Sequence, residues 1–329
     1  MSAGRRLRSR SGIALLITLL TLVLIVTIVF EIFRVSMRSA QSSAFARDSI
    51  RASLLAEAGT QAAIIALRED ARNNSFDTLD EIWSRASPPI DLGPGLVTVT
   101  IVDQERKINL NDLIGPKGTV GAQDKQVAVF RKLLENLALD PTIADSIVDW
   151  LDADDSTRAG GAESSYYQSL KNPYKAKNDL FDTVEELRLV RGVTPEVYRK
   201  LEPFVCVSAQ GSRINLNTAP KEILMSLSAD EDERNGGTLD AVMADRLIQY
   251  RRDTPFRLGD PSSLKADTEK ASPALGNLFR STQITALLDV RSSTFLVRSE
   301  GEVNGIRRTF EAIGTRTGNA IQWRYLRLE

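Results

Sequence analysis

One stretch near the start of the chain constrains every fold it can adopt. From Ile13 to Phe30 nothing is more polar than threonine, and Arg5, Arg6, Arg8 and Arg10 precede it with no acid among them. Wound as a helix, these eighteen residues span roughly 27 Å, close to the ~30 Å hydrocarbon core of a bilayer. Basic residues stay on the cytoplasmic side, so the arginines send the rest of the chain across the membrane. Three readings fit this stretch. Ala44-Phe45-Ala46 has the look of a secretory cleavage site, but the apolar run exceeds the usual length of about 7–15 residues and that site lies well beyond its end. A plain signal anchor needs no cleavage. A cut just after Gly12 leaves Ile13 as a new hydrophobic N-terminus.

At 329 residues, the chain has enough beyond the anchor for two domains. Its 42 basic and 43 acidic residues balance, which argues against a general electrostatic grip on nucleic acid. Cys206 is the single cysteine, so an intramolecular disulfide is excluded; between Val205 and Val207 it reads as a buried small apolar residue. There is no histidine, which removes histidine catalysis and histidine metal sites and leaves oxygen ligands for hard cations.

The helix is expected to continue past the membrane. Between Glu31 and Arg68 there is no proline, Gly59 is the only glycine, and Leu54, Leu55, Ala58, Ala62, Ile65 and Ala66 fall at helical spacing. One helix from Ile13 to about Arg68 fits; a membrane helix followed by a separate surface helix has the same composition. Asn73 to Pro94 reads as a loop with a short helix around Leu79–Trp83. Leu96–Asp103 alternates and is rich in β-branched residues, so it predicts a strand. Late in the chain, Thr294–Glu300 and Ile306–Ile313 flank Asn304-Gly305, a hairpin signal, and Ile321–Leu328 reads as a last strand. Between these strands, Gln123–Leu139, Pro141–Asp152, Thr183–Val190, Pro195–Leu201, Pro220–Ser226 and Leu239–Arg252 read as short helices, with Thr194-Pro195 and Thr218-Ala219-Pro220 as cap patterns. The economical architecture is α+β. A cut after Gly12 would make residues 1–12 a leader; 13–33 read as a transmembrane helix, and 34–108 with 286–329 as an α/β domain with an antiparallel sheet. Residues 109–285 form an all-helical insertion.

An internal repeat marks the insertion. Lys107-Ile108-Asn109-Leu110-Asn111 recurs 106 residues later as Arg213-Ile214-Asn215-Leu216-Asn217, and Ile143–Trp150 parallels Val242–Gln249. Val184–Pro195, with Gly192, has the texture of a helix-hairpin-helix unit, and Ile214–Leu224 that of the opening of another. DNA-binding versions bring glycine amides to a phosphate with basic residues nearby. No dense basic patch surrounds Gly192, which favours a helical scaffold over the alternative, a membrane-anchored helix-hairpin-helix module that binds nucleic acid in DNA uptake. Asp149, Asp152, Asp154 and Asp155, followed by Gly160-Gly161-Ala162-Glu163, are a sharper signal. Asp152 and Asp154 alternate as calcium ligands do, and Glu163 can return as a further carboxylate, though the spacing is not that of an EF-hand. A solvated acidic loop is the alternative; a paired-carboxylate active site lacks a nucleophile or cofactor loop beside it. Asp230–Glu233 reads as a surface charge run.

Together these features resemble the minor pseudopilin K family of type II secretion systems. The resemblance covers nearly the whole length. It rests on the Gly12 junction, Ala56-Glu57-Ala58-Gly59, the Asp149–Asp155 cluster with Gly161-Ala162-Glu163, Asn172-Pro173-Tyr174, Glu186–Val190 and Ile214–Pro220. It implies a pseudopilin fold with a large inserted helical domain of helix-hairpin-helix or SAM-like type. It also implies a non-enzymatic subunit at the tip of a periplasmic pseudopilus, anchored once in the inner membrane. The implied partners are minor pseudopilins I and J, with H below, and the prepilin peptidase, which would cut after Gly12 and methylate Ile13; no nucleic acid is expected. The implied cofactor is calcium, with Asp149, Asp152, Asp154, Asp155 and Glu163 as carboxylate candidates and Asn178 and Asp182 near enough in sequence to serve a second ion. The chain departs from the usual pilin pattern at the fifth mature position, where Ile17 stands in place of Glu. A subunit placed first has no neighbour ahead to pair with that carboxylate, so the departure suits a tip.

Overall fold

The computed structural model describes residues 9–115, 124–227, 239–257, 268–270, 285–318 and 320–328; the acidic run Asp230–Glu233 lies outside them. Helix α1 runs unbroken over Ser9–Asn73, 65 residues, or about 98 Å at the α-helical rise. It is therefore one helix, not two. From Gly12 it is long and apolar enough to cross a membrane, and its side chains there, Ile17 included, are exposed.

The described strands are β1 (Ile90–Asp91), β2 (Leu96–Asp103), β3 (Ile108–Asn109), β4 (Val205–Cys206), β5 (Ile214–Asn215), β6 (Leu288–Asp289), β7 (Thr294–Val303), β8 (Ile306–Thr317) and β9 (Ala320–Leu328). Five of them make an antiparallel sheet in the order β1-β2-β7-β8-β9. Asn304 and Gly305 turn β7 into β8 with φ of 49° and 80°, as a two-residue hairpin loop requires. Asn304 Nδ2 also donates to Asp48 Oδ2 at 2.8 Å, tying the hairpin tip to the helix.

The helix packs on the sheet through a face rotated from the expected stripe, sharing only Leu55 with it. Leu54 and Ile65 point away from the sheet, 59% and 66% exposed, while Ala52, Leu55, Ala56, Gly59, Ala63, Ile64 and Leu67 are buried. The reason is close approach. A Cβ on Gly301 would lie 2.1 Å from the Ala52 carbonyl oxygen, and one on Gly59 would lie 2.1 Å from Ser299 Oγ. Small residues are selected where backbones nearly touch, and bulk is pushed to the flanks.

Between β2 and β7 lie the helices α2 (Asp124–Asn136), α3 (Ile143–Leu151), α4 (Ser164–Gln168), α5 (Pro195–Leu201), α6 (Lys221–Ser226) and α7 (Ala241–Asp253). They share a core of their own, separate from that under the sheet, which draws in Ile108, Leu288 and Val290. The segment expected as a helix over Thr183–Val190 is a 3-10 turn, Val184–Leu189, opened by a Thr183/Glu186 capping box. Thr194 caps α5 as predicted, accepting from the Val197 N–H. Thr218 does not cap α6; its hydroxyl donates to Asp103 Oδ2 at 2.5 Å instead. The helical insertion is also tied by two short parallel pairs, β3 with β4 and β5 with β6. Two-residue strands are too short to carry a period.

The sequence repeat is a structural one. Asn111 clamps the backbone of Phe181, accepting from its N–H at 2.8 Å and donating to its carbonyl at 3.1 Å; Asn217 clamps Phe256 in the same way, at 2.9 Å for both bonds. Arg131 pairs with Asp145 in the first half and Lys221 with Asp245 in the second. The joint between insertion and sheet is polar and buried. Asp103 accepts from Thr218 and Ser292. Arg316 reaches Asp70 at 3.1 Å, Asp77 at 2.5 Å and the Ser292 carbonyl at 2.6 Å.

Candidate metal centre

Helix α3 is buried along its whole length, so its polar residues face protein and need partners there. Asp145 has Arg131. Asp149 is fully buried, and the chain leaves the helix at Asp152, which is 2% exposed. A loop follows and returns at Glu163, also 2% exposed, just before α4. Asp149, Asp152 and Glu163 each place a carboxylate oxygen so that all three oxygens lie within 4.8 Å of one another.

These oxygens are short of donors. Asp149 Oδ1, Asp152 Oδ1 and both oxygens of Glu163 are buried with no hydrogen-bond partner. Burial is the first cause that pushes the carboxyls up: Asp152 to about 6 and Glu163 to about 7, with the neighbouring acids adding to it, and Asp149 in the same direction. Two unit charges about 5 Å apart at an effective dielectric near 20 repel by roughly 3 kcal/mol. Three ionised carboxylates this close and this dry therefore call for a cation. Oxygen-only donors, several of them unpaired, fit a hard divalent ion such as calcium.

The loop is shaped to hold that geometry. The Arg158 N–H donates to Asp149 Oδ2 at 3.1 Å. Gly161 lies flat against Asp149: a Cβ there would sit 1.9 Å from Asp149 Oδ2. The Gly161 carbonyl accepts from Arg191 Nη1 at 2.7 Å, and Arg191 also covers the Tyr166 ring at 4.9 Å. Asn178 supplies another unpartnered buried oxygen, Oδ1. It sits beside the loop, its N–H donating to the Trp150 carbonyl at 3.0 Å and its Nδ2 to the Asp154 carbonyl at 3.4 Å, in a left-handed backbone with φ 49°.

The remaining candidates fall outside this group. Asp154 is exposed and its Oδ1 accepts from the Ser156 N–H at 2.7 Å; Asp155 is exposed as well. Asp182 is exposed and paired with Lys177 at 2.7 Å. Among the described residues one other acidic group gathers, Asp70, Asp77 and Glu81. Its charge is met by protein, since Arg316 pairs with both aspartates and Trp83 and Asn74 donate to Glu81. At the hairpin, Gly192 has φ 83° as a tight turn requires. The arginines nearest it are turned onto protein, Arg188 over Tyr198 and Arg191 onto Gly161.

Known proteins match this chain at the level of fold and of sequence. Residues 106–210 match the family model described as type II secretion system protein K. The type II secretion system protein K of Klebsiella pneumoniae is 28% identical over 95% of this chain and 97% of its own length. That of Aeromonas hydrophila is 30% identical over 72% of each chain, and that of Pseudomonas aeruginosa is 33% identical over 67% of this chain and 68% of its own. A chain in the crystal structure of the GspK–GspI–GspJ complex from the type 2 secretion system of enterotoxigenic Escherichia coli superposes with a TM-score of 0.69. That match is at 23% identity and covers 89% of this chain and 99% of that one. The chain belongs to the type II secretion system protein K family.

Proposed function

We propose that the protein is a non-enzymatic minor pseudopilin that caps the pseudopilus of a type II secretion system. In this reading the prepilin peptidase cuts after Gly12 and methylates Ile13. Residues 13–33 anchor the chain in the inner membrane, and everything beyond is periplasmic. The observation that carries the reading is α1, which is at once the apolar anchor and the helix packed on the sheet. Such an element inserts in lipid and stacks beside copies of its kind without rearranging. The inserted helical domain adds bulk that suits a tip and blocks a subunit above it. Ile17 agrees, because a carboxylate in lipid costs several kcal/mol unless it is paired, and a first subunit has no neighbour to pair it. The complex named for the similar structure supports pseudopilins I and J as partners; in this reading H lies below them.

Calcium is a structural ion in this reading, held by Asp149, Asp152 and Glu163 with Asn178 Oδ1 as a neutral donor. It would supply charge neutralisation, letting three buried carboxylates stay ionised at neutral pH. Mass spectrometry of the protein purified from membranes, with whatever copurifies, tests the proposal. The expected result is a methylated N-terminus at Ile13 and pseudopilins I and J in the same complex. An intact Met1, an N-terminus at Arg47, or a protein that never copurifies with I and J would refute it.

A further inference from the structure

The loop between Asp152 and Glu163 brings its own cation to the carboxylates. The Arg158 side chain is 27% exposed, but its Nε is buried and has no hydrogen-bond partner. It stands 3.5 Å from Asp149 Oδ1, which is likewise without one. Charge-assisted bonds of this kind close to about 2.7–2.9 Å when fully made. The same residue's N–H already holds Asp149 Oδ2 at 3.1 Å, so one residue faces both oxygens of Asp149. Arg191, the other arginine at the loop, is engaged by the Gly161 carbonyl and the Tyr166 ring.

We infer that Arg158 is a positioning residue that competes with the metal, neutralising Asp149 when no ion is bound and opposing the ion when it arrives. The inference rests on the calcium reading above. It has two consequences of opposite sign. Without metal, the guanidinium offsets repulsion among the three acids, so removing it weakens the fold. With metal, a single positive charge beside a divalent one raises the cost of binding, so removing it tightens binding. A residue that merely braced the loop would weaken both when removed.

The test uses the full chain in detergent micelles with calcium alone as titrant, followed by calorimetry, and melting in chelator. Arg158→Met keeps the apolar stem without the charge. It is expected to bind calcium about tenfold or more tightly than wild type and to melt lower in chelator. Arg158→Lys, charged but shorter, should fall between. Arg158→Gln answers the same question should the Met variant not fold, and it too must bind calcium more tightly. Calcium affinity in the uncharged variants equal to or weaker than wild type overturns the inference while leaving the calcium reading intact. A wild-type chain that takes up no calcium overturns both.

Discussion

Gly161→Ala tests the proposed calcium site. The added Cβ would sit 1.9 Å from Asp149 Oδ2 and 2.6 Å from its Cγ, where ordinary contact begins at 3.4 Å, so about 1.5 Å must be recovered. The Gly161 backbone cannot retreat freely, because its carbonyl is held by Arg191 at 2.7 Å and its N–H by the Arg158 carbonyl at 3.0 Å. Asp149 must move instead. Calcium–oxygen bonds tolerate departures of about 0.2 Å, so a shift several times larger removes that ligand. We expect calcium affinity to fall roughly 10- to 100-fold, as when groups that orient a ligand are lost. At saturating calcium that is about 1.4–2.7 kcal/mol less stabilisation, or roughly 3–10 °C off the calcium-induced rise in melting temperature at 2–4 °C per kcal/mol. The assay is thermal melting of the full chain in detergent, with millimolar calcium and with chelator, for wild type and variant. A variant whose calcium-induced rise equals that of wild type would show that Asp149 is not a ligand, or that Gly161 does not fix it.

Two further outcomes follow from the same structure. Asp152 and Glu163 have folded-state pKa values raised to about 6 and about 7, so their protonated forms favour the folded state and that contribution is lost as pH rises through those values. In chelator the melting temperature should therefore fall between about pH 4 and 7, and the calcium-induced rise should grow over the same window; a rise independent of pH would refute ionised ligands. Arg316→Met leaves the buried Asp70 and Asp77 without their cation. Losing one partner of such a pair costs about 3–5 kcal/mol, and a melting temperature within 2 °C of wild type would show that the cluster had neutralised itself by taking up protons.

Much of the framework is legible in the sequence, because it depends on local rules. The long helix follows from the absence of proline, the hairpin from Asn304-Gly305, and the α5 cap from Thr194-Pro195. What is not legible depends on distance across the fold. The helical stripe of Leu54, Leu55, Ala58, Ala62, Ile65 and Ala66 shares Leu55 with the packed face of α1, while Leu54 and Ile65 lie exposed. Here the backbones come too close for bulk, and Ala52, Ala56 and Gly59 take that place. Thr218 was expected to cap a helix because nothing local announces Asp103, 115 residues away. In the acidic cluster, Asp152 and Asp154 alternate in sequence, yet Asp152 is buried and Asp154 is exposed. The carboxylates gathered with Asp152 are those of Asp149, one turn back on α3, and Glu163. The position of Arg158 has no sequence signature at all, since it is fixed by how the loop folds over α3.

The seam between α1 and β7 carries a mechanical consequence. Ordinary helix–sheet contacts are cushioned by a layer of side chains that can change rotamer and absorb a small displacement. Where Gly301 meets the Ala52 carbonyl and the Ala56 backbone nitrogen, that cushion is missing, and close-packed backbone transmits strain with little compliance. A thrust along the axis of the long helix thus passes to the strand it touches. From β7 it goes to Ser292 and Arg316 at the joint, and so to the helical mass beyond. The protein is built as a stiff rod with a fixed head.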